Sequence, residues 1–104
     1  MSQITTHILD TTRGLPARNV PISLYAQKEN EWEKLAAGMT NDDGRLPGLL
    51  ADGVKLPAGI YRMHFETSVY FKANEENGFY PYVDIVFELD TKGAHYHIPL
   101  LLTA

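Results

Sequence analysis

Near its C-terminus the chain reads His95-Tyr96-His97-Ile98-Pro99-Leu100-Leu101-Leu102, two imidazoles set two residues apart in a stretch otherwise typical of a strand. A strand turns successive side chains to opposite faces. His95, His97, Pro99 and Leu101 therefore share one face, and Tyr96, Ile98, Leu100 and Leu102 form the core face. Imidazole is the side chain whose unperturbed pKa lies in the physiological range. A pair turned away from the core is suited to proton transfer, ligand binding or metal binding. A third imidazole stands at the other end of the chain, where Thr5, His7 and Leu9 alternate with Thr6, Ile8 and Asp10. Ile8 is the expected core contact there, so His7 also points outward. Arg45 leaves the turn Asn41-Asp42-Asp43-Gly44 directly and offers a planar fork of donors for carbonyl or carboxylate oxygens. Gly44 is expected to supply a positive φ.

The elements that must position these groups are short. Apolar-alternating stretches separated by turn signals at close intervals predict an all-β sandwich of about seven strands. Strands are expected over residues 5–10, 20–27, 32–39, 60–66, 82–89 and 95–102. Val20, Ile22, Leu24 and Ala26 make one inward set, Tyr61, Met63 and Phe65 a second, and Val83, Ile85, Phe87 and Leu89 a third. Thr12-Arg13-Gly14-Leu15-Pro16 reads as a turn, Glu29-Asn30-Glu31 as a hairpin tip and residues 90–93 as a hairpin. One short helix is predicted over about residues 68–74, capped by Thr67 or Ser68 and closed by Asn77-Gly78. Trp32, Phe87 and Tyr96 read as packing residues, and His64, between Arg62 and Glu66 on its strand face, as a surface residue.

Composition narrows the function classes. A chain of 104 residues forms one domain able to bury most of its apolar surface, and it contains no cysteine for a disulfide or a thiolate metal site. Nine basic against 13 acidic residues give a formal charge of −4, which offers no electrostatic footprint for nucleic acid or an anionic membrane. No signal segment or membrane-spanning run is apparent, and the cytoplasm is the expected address.

Four pieces of the sequence, in order, resemble the 5-hydroxyisourate hydrolase family, the transthyretin-like enzymes of urate breakdown. They are Thr5-Thr6-His7-Ile8-Leu9-Asp10 with Gly14, Pro16 and Ala17 behind it; Asp43-Gly44-Arg45; Phe79-Tyr80-Pro81; and the run from His95 to Leu102. The resemblance spans residues 5–102. It implies a prealbumin-like Greek-key sandwich, residues 1–104 as a single transthyretin-like domain, and a homotetramer, a dimer of dimers, with active sites in a channel where dimers meet. His7 and His97 resemble the two catalytic histidines and Arg45 the active-site arginine, all three also binding substrate. In the related hormone carrier the equivalents are a lysine, a threonine and a glutamate. His95, Leu9, Pro99 and Leu101, on the same outward faces, are expected to support the site. Family members usually continue past the leucine run into a final strand ending Tyr-Arg-Gly-Ser, a tail that contributes to the active site and subunit contacts. That tail is not in the sequence.

The reaction so implied is hydrolytic opening of a cyclic amide in a small purine-derived ring, with no cofactor. A neutral imidazole takes the proton of the attacking water, and Arg45 holds ligand oxygens or stabilises negative charge in the transition state. Two other readings stand beside it. The first is a non-catalytic small-molecule binder using the intersubunit channel. The second is a metal site of His95 and His97 with His7 as a third ligand, although a stable site needs three or four donors of suitable geometry. Without the resemblance, a strand histidine is ordinarily a hydrogen-bonded surface residue, and Arg45 a solvated charge paired with Asp42 or Asp43.

Overall fold

The computed structural model describes residues 2–103; Ala104, the last residue of the apolar C-terminal run, lies outside them. The element order is β1 (Ile4–Asp10), β2 (Leu15–Pro16), β3 (Pro21–Lys28), β4 (Glu31–Met39), β5 (Gly59–Phe65), α1 (Thr67–Ala73), β6 (Val83–Leu89) and β7 (Tyr96–Leu102). The strands form two sheets, one in the order β2-β1-β7 and one in the order β4-β3-β5-β6. Each predicted strand is present to within a residue or so of its expected limits.

Period-two alternation builds the core between the sheets. From the smaller sheet Ile4, Ile8 and Leu102 are fully buried, and from the larger Ile22, Leu24, Met63 and Phe65 meet them. Val83, Ile85, Phe87, Tyr96, Ile98 and Leu100 pack against this cluster with part of their surface exposed. The inward sets are those the alternation predicts. At full burial each such aliphatic or aromatic side chain contributes about 1.5–3 kcal/mol.

Four expectations are corrected. Leu15 and Pro16 are not only turn: they fold back as β2 and pair antiparallel with Leu9 and Asp10. Residues 90–93 do not make a hairpin, because β6 pairs with β5 in one sheet while β7 pairs in parallel with β1 in the other. The segment carries the chain across the sandwich.

The helix forms, but neither Thr67 nor Ser68 caps it. Its N-cap is Glu66, with no side-chain cap bond; the buried Thr67 hydroxyl donates instead to the Tyr80 carbonyl, and Ser68 N–H to that of Pro81. It closes before Asn77-Gly78. Glu75 adopts φ 56°, with its N–H on Lys72 O and that of Glu76 on Phe71 O, the paired bonds of a Schellman ending. Gly78 has a different task, since a Cβ there would run into the Phe71 ring.

Trp32 is a packing residue, as expected, though outside the core. It lies on the outer face of the larger sheet, where the Arg62 guanidinium stacks 4.8 Å from its ring centroid and 4.5 Å from that of Tyr25. His64 occupies the same outer face, as expected, held by Asp84 at 2.6 Å and in tilted contact with the Tyr82 ring.

Candidate active site

The outer face of the smaller sheet carries the candidate residues, and β1–β7 pairing fixes their spacing. Thr5 stands opposite His97, His7 opposite Pro99, and Leu9 opposite Leu101. These six side chains point away from the core in two parallel rows. His7 is half-buried while His95, His97 and Pro99 are exposed, and Leu101 keeps 66% of its surface open.

Arg45 is brought to this face by backbone hydrogen bonds. Asn41 Oδ1 accepts from the N–H of Asp43 (2.9 Å) and of Arg45 (3.0 Å), and Asn41 N–H donates to the Arg45 carbonyl at 2.7 Å. Such side-chain-to-backbone bonds are the reason asparagine favours turns. Gly44 follows with φ 72°, and its carbonyl accepts the Ile8 N–H at 2.9 Å. A Cβ on Gly44 would press into the Ile8 carbonyl oxygen. Only glycine lets the turn close against β1, and as a result Arg45 forms an isolated antiparallel bridge with His7. The ion pairs among the described residues involve Arg13, Lys28, Arg62 and His64, so Arg45 is not tied to Asp42 or Asp43. Its exposed guanidinium remains available to a ligand.

Beside these residues lies a cavity of about 650 Å³, walled by Thr5 on β1, by His95 and His97, and by Arg45, Leu46, Pro47 and Asp52 from the segment that follows the turn. Its volume suits a small molecule. His97, His95 and Arg45 line it directly. His7 does not; it stands one step along β1 and meets the site through its bridge to Arg45. Leu9, Pro99 and Leu101 continue the face beyond His7, outside the cavity.

Two cavity residues were not foreseen. Thr5 Oγ1 lies 3.0 Å from His95 Nε2 and 2.9 Å from His97 Nδ1, joining both imidazoles through one hydroxyl. Asp52 adds a carboxylate to the wall. The signal for Thr5 was its place on the outward face of β1, two residues before His7, but the parallel register that sets it against His97 is a tertiary fact. Nothing local marks Asp52. Among the described residues no group of three or more His, Asp or Glu side chains is arranged to hold a metal ion.

Chemically, the site offers imidazole nitrogens for proton transfer, a guanidinium for oxygen atoms and a small concave space between them. A two-sheet sandwich presenting this set from the face of its smaller sheet defines a transthyretin-fold protein whose candidate site carries titratable groups. Comparison with known proteins agrees: the HIUase/Transthyretin family model matches residues 4–104. The chain belongs to the HIUase/Transthyretin family. It is 39% identical over 104 residues to the 5-hydroxyisourate hydrolase of Mus musculus, covering 98% of this chain and 87% of the mouse protein. The structure of Klebsiella pneumoniae 5-hydroxyisourate hydrolase superposes with a TM-score of 0.81 at 35% identity, over 96% of this chain and 88% of that one. Transthyretin from Sparus aurata superposes with a TM-score of 0.90 at 28% identity, over 100% of this chain and 92% of that one.

Proposed function

We propose that this protein, a single transthyretin-like domain, hydrolyses 5-hydroxyisourate, opening its cyclic amide in the breakdown of urate. The observation that carries the reading is the meeting of His97, His95 and Arg45 around one cavity, with His7 bridged to Arg45. The mouse and Klebsiella relatives bear the name of this activity. His97 and His7 are the pair assigned to proton transfer, and Arg45 to the carbonyl oxygens of the substrate and the charge that develops on them. General-base catalysis by a positioned imidazole is typically worth about 10²–10⁴-fold, and a preorganised cation adds stabilisation of the oxyanion.

The site lies on an exposed sheet face, and binding sites are enclosed. We assign the missing wall to a second copy of the chain, in a homotetramer built as a dimer of dimers. No helix of the described residues is long and apolar enough to cross a membrane, and we assign the protein to the cytoplasm.

The likeness to Sparus aurata transthyretin favours a second reading, a small-molecule carrier without turnover. Backbone likeness and residue identity rank the two relatives oppositely: the TM-score is higher for the transthyretin, the identity higher for the hydrolase. Chemistry follows side chains rather than fold, and imidazoles with a free guanidinium suit hydrolysis. The deciding experiment follows the ultraviolet absorbance of freshly generated 5-hydroxyisourate with the wild-type protein and with His97→Asn and His7→Asn. Accelerated decay that each variant slows by at least about 10²-fold, with the fold retained, is the expected result. Saturable binding without acceleration would establish the carrier, and a near-normal rate for either variant would remove that histidine from the mechanism.

A further inference from the structure

The hydroxyl of Thr5 stands between two imidazoles, with Oγ1 3.0 Å from His95 Nε2 and 2.9 Å from His97 Nδ1. The parallel register places Thr5 opposite His97, while His95, two residues earlier, reaches back to the same oxygen. A hydroxyl carries one proton. Thr5 therefore donates at most one of the two bonds, and at least one imidazole must give it an N–H. The tautomers of the two rings are coupled through a single atom. Because His97 Nδ1 is engaged by Thr5, its Nε2 is the nitrogen left for the cavity.

We infer that Thr5 is a positioning residue that joins His97 and His95 into a proton relay; the inference rests on the hydrolase reading of this site. At rest His97 donates its Nδ1–H to Thr5 Oγ1, Thr5 donates its O–H to His95 Nε2, and His97 Nε2 is bare. The attacking water gives a proton to that Nε2 as its oxygen bonds to the amide carbon and the carbonyl electron pair moves onto oxygen. His97 passes Nδ1–H to Thr5, and Thr5 passes its own proton to His95. The charge then rests on His95, which is exposed and solvated. When the carbon–nitrogen bond breaks, the proton returns along the same path, and His97 Nε2–H protonates the leaving nitrogen. Every group ends as it began. Relay through Thr5 moves the positive charge away from Arg45, and His7, bridged to Arg45, keeps its part in proton transfer by passing the proton of the newly formed carboxylic acid to solvent; among the described residues Asp52 in the same wall is the other ionisable group that lines the cavity.

The test pairs Thr5→Val, which keeps the branched shape and removes the hydroxyl, with Thr5→Ser, which keeps the hydroxyl. Imidazole ¹⁵N spectra of the free protein read the tautomers, and kcat and KM for 5-hydroxyisourate read the consequence. Thr5→Val is expected to shift the nitrogen signals of both His97 and His95 and to lower kcat at least about 10-fold with little change in KM. Thr5→Ser restores both. His95→Asn lowers kcat to a similar degree, and adding Thr5→Val to it costs little more, because both interrupt one path. Unchanged His97 nitrogen signals in Thr5→Val overturn the coupling, and shifted signals with wild-type kcat overturn the relay. A wild-type protein that leaves 5-hydroxyisourate untouched overturns the hydrolase reading and the catalytic use of the relay, while the spectra still decide the coupling itself.

Discussion

At the scale of single residues, the outward-facing histidines were legible because period-two alternation separates a core face from a free one without knowledge of the partner strand. His7, His95 and His97 lie where that rule puts them. Arg45 was legible from the turn before it. Thr5 was not, because a strand threonine is common and only the parallel register shows what its hydroxyl meets. The arginine and the glycine beside it act differently, and two substitutions separate them. Arg45→Lys keeps a positive charge but loses the planar fork; charge-assisted hydrogen bonds of this kind are worth about 1.5–3 kcal/mol. A fall of roughly 10- to 100-fold in kcat/KM with unchanged thermal stability is expected. Gly44→Ala instead forces a Cβ onto the Ile8 carbonyl at a φ of 72°. It should lower stability by about 1–3 kcal/mol, and activity with it, because Arg45 is displaced along with the turn. Parallel denaturation and rate measurements on the two variants check this contrast.

The elements show where local reading stops. Strand positions were legible because their apolar alternation is strong, but the partner of each strand was not. Asp90-Thr91-Lys92-Gly93 has the residues of a hairpin, and only the sandwich as a whole decides that β7 joins β1. The helix ends failed for a similar reason: the Thr67 hydroxyl is spent on the carbonyl of Tyr80, seen only once the loop folds back. One element contact carries a pH signature. Tyr70 on α1 donates its hydroxyl to Asp10 Oδ2 on β1 at 2.7 Å, while Asp10 Oδ1 accepts the N–H groups of Thr12 and Arg13. Burial, and next the bond to Asp10, push the Tyr70 phenol well above its ordinary pKa of 10.0. The folded form thus keeps a proton that the unfolded chain loses near pH 10. This contribution is fully present below that pH and is lost as pH rises toward the folded value. Thermal melts should show stability falling from about pH 10 upward, and less steeply in Tyr70→Phe. At neutral pH that variant should lose roughly 1–3 kcal/mol, because the buried Asp10 Oδ2 loses its hydrogen bond and keeps only the longer ion pair to Arg13 Nε at 3.8 Å. An equal slope in both proteins would remove Tyr70 from the alkaline transition.

The whole molecule raises the question of what completes the site. β7 is one edge of the smaller sheet and β6 one edge of the larger, and unpaired strand edges with exposed apolar side chains favour association. Leu101 on β7 and Val86 on β6 are 66% and 58% exposed. The histidine face adjoins that first edge, so a copy of the chain docking against it would both cover Leu101 and wall the cavity. Under the proposed assembly, sedimentation of the wild-type protein gives a mass near four subunits. Dilution should then lower the rate per chain at the same concentrations at which the assembly dissociates, since subunit binding is governed by mass action. Leu101→Arg places a charge in the proposed contact and should shift both transitions together to higher protein concentration without changing the far-ultraviolet spectrum. A monomer that keeps the full rate per chain would mean that one copy already encloses its substrate. The second wall would then have to come from the segment of Leu46, Pro47 and Asp52 closing over the histidines.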